Sequence, residues 1–390
     1  MYLSQEEERI LDGESGWANQ ISMRILVQLG ELFDATKLIP IESAHVSGVS
    51  YKTLGDAPIE FLKALADSEG KVKVRATLNP QSFSPEYLDQ KLPQHIRYKQ
   101  FSILEQFERM GFIPSLTCTP YYMRRPKYNS ELAWAESSAV VYSNSVLRAW
   151  TNREGGPSAL AAAIIGKTPD CGIHRAENRQ VQVQVSLEGK FKNETNFGAL
   201  GIYLGKILRN RIPTIDIPKR ASADDLKQLS AALATTGMVN MFCRNDAPKY
   251  TRVERITIGT NEITQTIEDL STAPHSEPDL IFIGCPHCSL NELKRISQLT
   301  AGHKVKNGME CWICTSRYIR QKAVEHVNII ERSGIRVLTD MCTVVSWTEM
   351  LGIRTIMTNS AKTAYYAPTL NKAETILAPM KECLKQALKG

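Results

Sequence analysis

Nine cysteines are the side chains of this 390-residue sequence best equipped for chemistry. Their odd number points to reduced thiols and metal ligation rather than a disulfide framework. The first ten residues carry three consecutive glutamates where an export signal would need basic and then apolar residues, so the expected compartment is the cytoplasm. Two C-x-x-C pairs, Cys285 with Cys288 and Cys311 with Cys314, are spaced much as in a zinc ribbon, an interaction or nucleic-acid module. A ribbon needs a tight turn at each pair. Residues 310–313 instead read as a strand, on which positions 311 and 314 point to opposite faces.

Grouping the cysteines by context gives a different centre. Cys118, Cys285 and Cys342 each stand just past an apolar run, and strand ends of an open parallel sheet converge where ligands bind. An iron–sulfur cluster gripped by only three thiolates keeps an iron free to accept substrate oxygens as a Lewis acid. Cys243 also follows such a run and Cys288 shares a motif with Cys285, so context alone leaves both open. Cys171, Cys288, Cys311, Cys314 and Cys383 otherwise read as small buried hydrophobes.

Other polar candidates cluster in loops. Gly48-Val49-Ser50 and Asn79-Pro80 could bring backbone N–H groups and hydroxyls close to carboxylate or phosphate oxygens, or could be ordinary turns. Glu136, Ser137 and Ser138 offer polar contacts or a local cap. Lys362 could neutralise an anion, although a lone lysine is commonly solvated. His45 and His287 could carry protons, or simply satisfy local hydrogen bonds.

The elements that must position these groups follow from periodicity. Ser4 with Glu7 forms a capping box, and apolar residues at helical spacing predict a helix over 16–33. Short apolar runs predict strands at 37–41, 71–78, 111–117, 139–142, 238–242, 279–283, 310–313 and 334–338, with a polar loop over 42–55. Helices are predicted at 290–299, 317–332 and 373–388. Strands alternating with amphipathic helices indicate an α/β chain with parallel sheets. Pro213 and Pro218 suggest a division near 211–222, giving lobes 1–210 and 211–390.

Composition excludes several classes. A hydrophobic content of 43% and a charged content of 23% suit a globular chain, not a disordered one or a coiled coil. The net charge of +6 is spread without a run of basics, which disfavours a nucleic-acid partner and suits a small anionic substrate. No stretch of eighteen apolar residues is present, so no membrane span is expected.

Six ordered motifs carry a family resemblance. Ser43-Ala44-His45-Val46-Ser47-Gly48-Val49-Ser50-Tyr51-Lys52-Thr53-Leu54-Gly55 and Thr77-Leu78-Asn79-Pro80 resemble the substrate loops of the aconitase X family. Thr117-Cys118-Thr119-Pro120-Tyr121, Gly284-Cys285-Pro286-His287, Asp340-Met341-Cys342 and Ser360-Ala361-Lys362 complete the set. Ser143-Asn144-Ser145 and residues 151–157 also resemble family loops, while residues 243–248 match poorly.

The resemblance implies aconitase-like parallel or mixed sheets flanked by helices, with a cluster site at the junction of the lobes. It implies Cys118, Cys285 and Cys342 as ligands of an iron–sulfur cluster of the 4Fe–4S type. Gly48, Val49, Ser50, Asn79, Pro80, Ser137, Ser138 and Lys362 are the implied substrate contacts. It further implies a separate small swivelling-domain subunit bearing the catalytic base. The expected reaction is dehydration of (R)-5-phosphomevalonate to trans-anhydromevalonate 5-phosphate. Dehydration of cis-3-hydroxy-L-proline or another hydroxy acid is the alternative.

Overall fold

The computed structural model describes residues 1–189, 191–244 and 253–389, so most of the poorly matching stretch 243–248 lies outside the described residues. The chain opens as its sequence predicts. Ser4 and Glu7 form a capping box, and the helix Trp17–Leu32 buries Ala18, Met23 and Leu26 on one face. Next come β1 (Leu38–Pro40), β2 (Ser43–Val46), β3 (Arg75–Leu78), β4 (Leu132–Trp134) and β5 (Lys167–Pro169). β1 and β5 form an antiparallel pair, while β3-β2-β4 form a parallel sheet with β2 in the middle.

A second parallel sheet has the order β8-β7-β6-β9, from β6 (Val183–Leu187), β7 (Pro213–Ile215), β8 (Cys243–Arg244) and β9 (Glu254–Ile258). Pro213 thus opens β7 inside this sheet, and residues 216–222 lead from β7 into the helix Ala223–Thr236. The third sheet is the largest and wholly parallel, in the order β12-β11-β10-β13-β14. Its strands are β10 (Leu280–Cys288), β11 (Glu310–Thr315), β12 (Arg336–Thr339), β13 (Thr355–Thr358) and β14 (Glu374–Leu377). The order reverses at β10, and in open α/β sheets the crevice beyond the strand ends at such a reversal is where ligands bind.

Several expected elements differ. The run 139–142 lies in a helix, Ser137–Tyr142, because Glu136 accepts the Ser138 N–H as a cap and the helix is buried on all sides against Ala223–Thr236. A short apolar run fits a buried helix as well as a strand. Residues 42–55 are not all loop: β2 lies there, its His45 and Ser43 masking the apolar pattern. Residues 111–117 make only a single bridge, Ile113 with Thr77, and 238–242 form no strand. The predicted helix 373–388 is β14 followed by the helix Met380–Ala387, with Pro379 at its start. The helix predicted over 317–332 breaks at Ala323 into Arg317–Lys322 and Val324–Arg332. Among the described residues, no helix is long and apolar enough to cross a membrane.

Candidate active site

Each of the three grouped cysteines follows a residue of positive φ, which at Asp340 lies just past β12 and at Gly284 lies inside β10. Leu116, at φ 44°, precedes Thr117 and Cys118; Gly284, at φ 128°, precedes Cys285; Asp340, at φ 66°, precedes Met341 and Cys342. A leucine in the left-handed region is costly and persists only where its surroundings dictate it. Here the Thr117 N–H donates to the Leu78 carbonyl (3.1 Å) and Ile113 N–H to that of Ala76 (2.9 Å), tying the segment along β3. Gly284 lets β10 pass against β11, since a Cβ there would lie 2.7 Å from the Cys314 amide nitrogen and closer to its carbonyl. Asp340 is held by Arg317, whose Nε donates to Oδ2 at 2.6 Å.

The same turns join the first and third sheets. Gln81 N–H donates to the Asp340 carbonyl (2.8 Å), and Cys342 N–H donates to the Gln81 carbonyl (3.2 Å). The loop that begins at Asn79-Pro80 therefore pairs with the loop that carries Cys342. Between them lies a cavity of about 550 Å³, counting its open mouth, onto which Cys118, Cys285 and Cys342 all face.

The opposite wall is an ion pair. Lys362 Nζ lies 2.9 Å from Glu136 Oε1 and 3.4 Å from Ser137 Oγ. Glu136 also accepts from Ser138 Oγ (2.9 Å) and, through Oε2, from Asn79 Nδ2 (2.7 Å). Burial would raise the Glu136 pKa, but Lys362 and these donors outweigh it and hold the carboxyl at about 2. Burial would likewise strip Lys362 of its proton, and the Glu136 carboxylate keeps it protonated far above the ordinary range. Burial pushes the Cys118 and Cys342 thiols up, Cys342 to about 12, and charge on a neighbouring cysteine raises both further. Cys118 and Cys342 as thiolates would thus call for a compensating cation.

Family models of the aconitase X first, second and third domains match residues 1–177, 180–268 and 278–389. The chain belongs to the aconitase X family. It is 44% identical to the phosphomevalonate dehydratase large subunit of Methanocaldococcus jannaschii, over 99% of this chain and 100% of that one. It is 30% identical to the cis-3-hydroxy-L-proline dehydratase of Pseudomonas aeruginosa, over 98% of this chain but 69% of that one. The solved aconitase X of Thermococcus kodakaraensis in its holo-form superposes with a TM-score of 0.92 at 40% identity, covering 99% of this chain and 100% of that one. These named relatives mark the family as one of hydro-lyases.

The three matched domains of this aconitase X chain coincide with its three parallel sheets. Of its nine cysteines, only Cys118, Cys285 and Cys342 face the cavity. Cys288 and Cys311 pack on one side of the third sheet with Cys383, whereas Cys314 packs on the other with Cys285. That split removes the zinc ribbon, and among the described residues no three His, Cys, Asp or Glu side chains close on a single ion. Cys171 lines a separate groove, and Cys243 sits half-buried on β8 in the second sheet.

Gly48, Val49, Ser50, Asn79, Pro80, Ser138 and Lys362 all line the cavity, and Ser137 stands just behind, against Lys362. Their side chains are largely occupied. Ser50 Oγ donates to the Val345 carbonyl (2.9 Å) and pairs with Ser82 Oγ (2.6 Å), so the 48–50 loop offers its backbone. Neither histidine faces the cavity. His45 Nε2 meets Asn79 Oδ1 (3.3 Å) and Nδ1 meets Thr77 Oγ1 (2.8 Å), and burial drops its pKa to about 4. Asn79 Oδ1 can only accept, so Nε2 carries the proton and His45 aligns Asn79 on Glu136.

Three contributors escaped the sequence reading. Val344 and Val345 line the cavity, and Gln100 supports it from beneath. Gln100 Nε2 donates to the Val49 carbonyl (2.8 Å) while its Oε1 accepts from Tyr51 N–H (3.0 Å) and Ser82 Oγ (2.8 Å). A glutamine facing inward on the amphipathic helix Gln94–Arg109 was the available signal.

Proposed function

We propose that the chain is the large subunit of a phosphomevalonate dehydratase, converting (R)-5-phosphomevalonate to trans-anhydromevalonate 5-phosphate and water. The observation carrying this reading is that three of nine cysteines, from segments far apart in sequence, face one cavity alongside a largely buried lysine–glutamate pair. That all-thiolate donor set, Cys118, Cys285 and Cys342 facing the same cavity, suits an iron–sulfur cluster of the 4Fe–4S type. When bound, such a cluster supplies a Lewis-acid iron with a free position for the carboxylate and hydroxyl oxygens of a hydroxy acid.

The remaining roles fall to the chain's own groups. Lys362 keeps its charge and, with Glu136 and Ser137 taking two of its directions, presents a third toward the cavity for a substrate anion. The loop at Gly48-Val49-Ser50 offers main-chain donors, Gln100 fixing it from behind. Asn79 and Ser138 hold Glu136 in place, and Pro80 shapes the wall.

Proton removal from carbon needs a base that this wall lacks among the described residues. Glu136, held at about 2, is a poor proton acceptor, and Lys362 is fully protonated. A separate small subunit closing over the cavity fits this gap, and the relatives' designation as a large subunit supports it. The hydroxyproline dehydratase reading stands second because that relative shares 30% identity against 44% for the phosphomevalonate enzyme.

The test is anaerobic co-purification with the small subunit, iron and sulfide analysis, and assay on both substrates. Turnover of phosphomevalonate is expected only with both chains present. Single Cys→Ser changes at 118, 285 or 342 should lose the brown colour, whereas Cys311→Ser should keep it. Turnover of hydroxyproline or unphosphorylated mevalonate, with none of phosphomevalonate, would refute the substrate. Wild-type colour in all three variants would refute the ligand set.

A further inference from the structure

His287 is a buried residue whose four polar atoms are all bonded and together reach three parts of the molecule. Its N–H donates to Cys118 Sγ at 3.2 Å, and its carbonyl accepts from Lys227 Nζ at 3.0 Å. Ring Nε2 lies 2.8 Å from the Met341 carbonyl and Nδ1 lies 3.0 Å from Thr117 Oγ1. A carbonyl can only accept, so Nε2 carries the proton and Nδ1 accepts from the Thr117 hydroxyl. Thr117 and Cys118 belong to the first domain, Lys227 to the second and Met341 to the third. His287 itself lies two residues beyond Cys285, and Thr117 and Met341 adjoin Cys118 and Cys342.

We infer that His287 is a positioning residue that sets the three cysteine-bearing segments in register for the cluster, resting on the function proposed above. Segments that come from separate parts of the chain have no covalent reason to keep their thiols aligned. One imidazole bonded to two of the segments, and chained to the third, supplies that reason. Its ring is closed off from the cavity, so it does not exchange protons with substrate. Outer residues that orient metal ligands typically change metal retention by about 10-fold to 100-fold when lost, and hydrogen bonds to cluster sulfurs tune their electronic state.

The test uses the anaerobically prepared two-chain complex and the variants Thr117→Val, His287→Gln and His287→Ala. Iron loss to a chelator and the cluster's visible and electron-paramagnetic spectra are followed beside unfolding midpoints and KM. Thr117→Val preserves shape and leaves His287 in place, removing the Nδ1 bond together with the Thr117 hydroxyl's local contacts to the Thr119 N–H (3.2 Å) and Oγ1 (3.1 Å). It is expected to lose iron roughly 10-fold faster with an altered spectrum, while KM stays within about twofold. His287→Gln, which can still reach the Met341 carbonyl, should retain iron better than His287→Ala. A merely structural role would lower the unfolding midpoint and leave spectrum and iron loss unchanged. Wild-type spectrum and chelation rate in Thr117→Val overturn the inference even if His287→Ala does not fold. Absence of iron and sulfide from the wild-type complex would instead overturn the function on which it rests.

Discussion

At the scale of single residues, the cavity wall shows how burial and pairing divide the work among polar groups. Glu136 is buried and Lys362 half-buried, and each charge is tolerable there because of the other. His45, fully buried, solves the same problem by staying neutral. Its folded pKa of about 4 lies below the unfolded value of 6.5, so at mildly acid pH the unfolded chain binds the extra proton. The stabilisation is therefore complete above pH 6.5 and lost as pH falls toward 4. Between pH 7 and pH 5 it amounts to about 2 kcal/mol. Urea titrations at both pH values should show the parent losing about that much more stability than His45→Gln. Equal losses in the two proteins would show that His45 does not titrate as a buried neutral group.

At the scale of elements, the ends of strands matter more than their lengths. β10 runs nine residues in full burial, and Gly284 within it makes contact with β11 that no side chain permits. Gly284→Ala combines a collision with the Cys314 backbone and a φ of 128° foreign to alanine, a cost on the order of 3 kcal/mol or more. Gly302 has a φ of 78° with open space around it, so Gly302→Ala should cost only about 1 kcal/mol. Denaturant midpoints of the two variants measure the contrast directly. Comparable midpoints would show that β10 and β11 can separate without penalty.

At the scale of the whole molecule, the three sheets share apolar cores across their boundaries, and buried polar ties add to that packing. The firmest joins the second domain to the third: Lys227, 1% exposed, pairs with Glu292 and also reaches the His287 carbonyl. Glu292 meanwhile caps the helix Leu290–Thr300 through the Ser289 N–H (2.7 Å). Lys227→Met leaves Glu292 buried and unpaired, a loss of about 3–5 kcal/mol. The expected signature is a shift from one unfolding transition toward two, seen by calorimetry, as the second domain loosens from its neighbours. A single, unshifted transition would mean the tie contributes nothing to cooperativity.

Period and local chemistry alone indicate the α/β class, the capping box at Ser4, the apolar start of β10 at residues 280–283 and the opposite-facing pair Cys311 and Cys314. Ordered motifs across the chain also identified the family and most of the cavity wall. Local pattern could not distinguish the buried helix Ser137–Tyr142 from a strand, nor reveal β2 beneath its polar residues, since all-round burial erases amphipathic contrast. Which cysteines meet is likewise invisible locally: Cys118, Cys288 and Cys243 look alike in one dimension. The family motifs named Cys118, Cys285 and Cys342, and the fold supplies the reason they face one cavity: strand order and the positive-φ residues Leu116, Gly284 and Asp340 direct the three segments there. Only tertiary structure decides the partners of His287, which lie 54 to 170 residues away and are joined by packing alone.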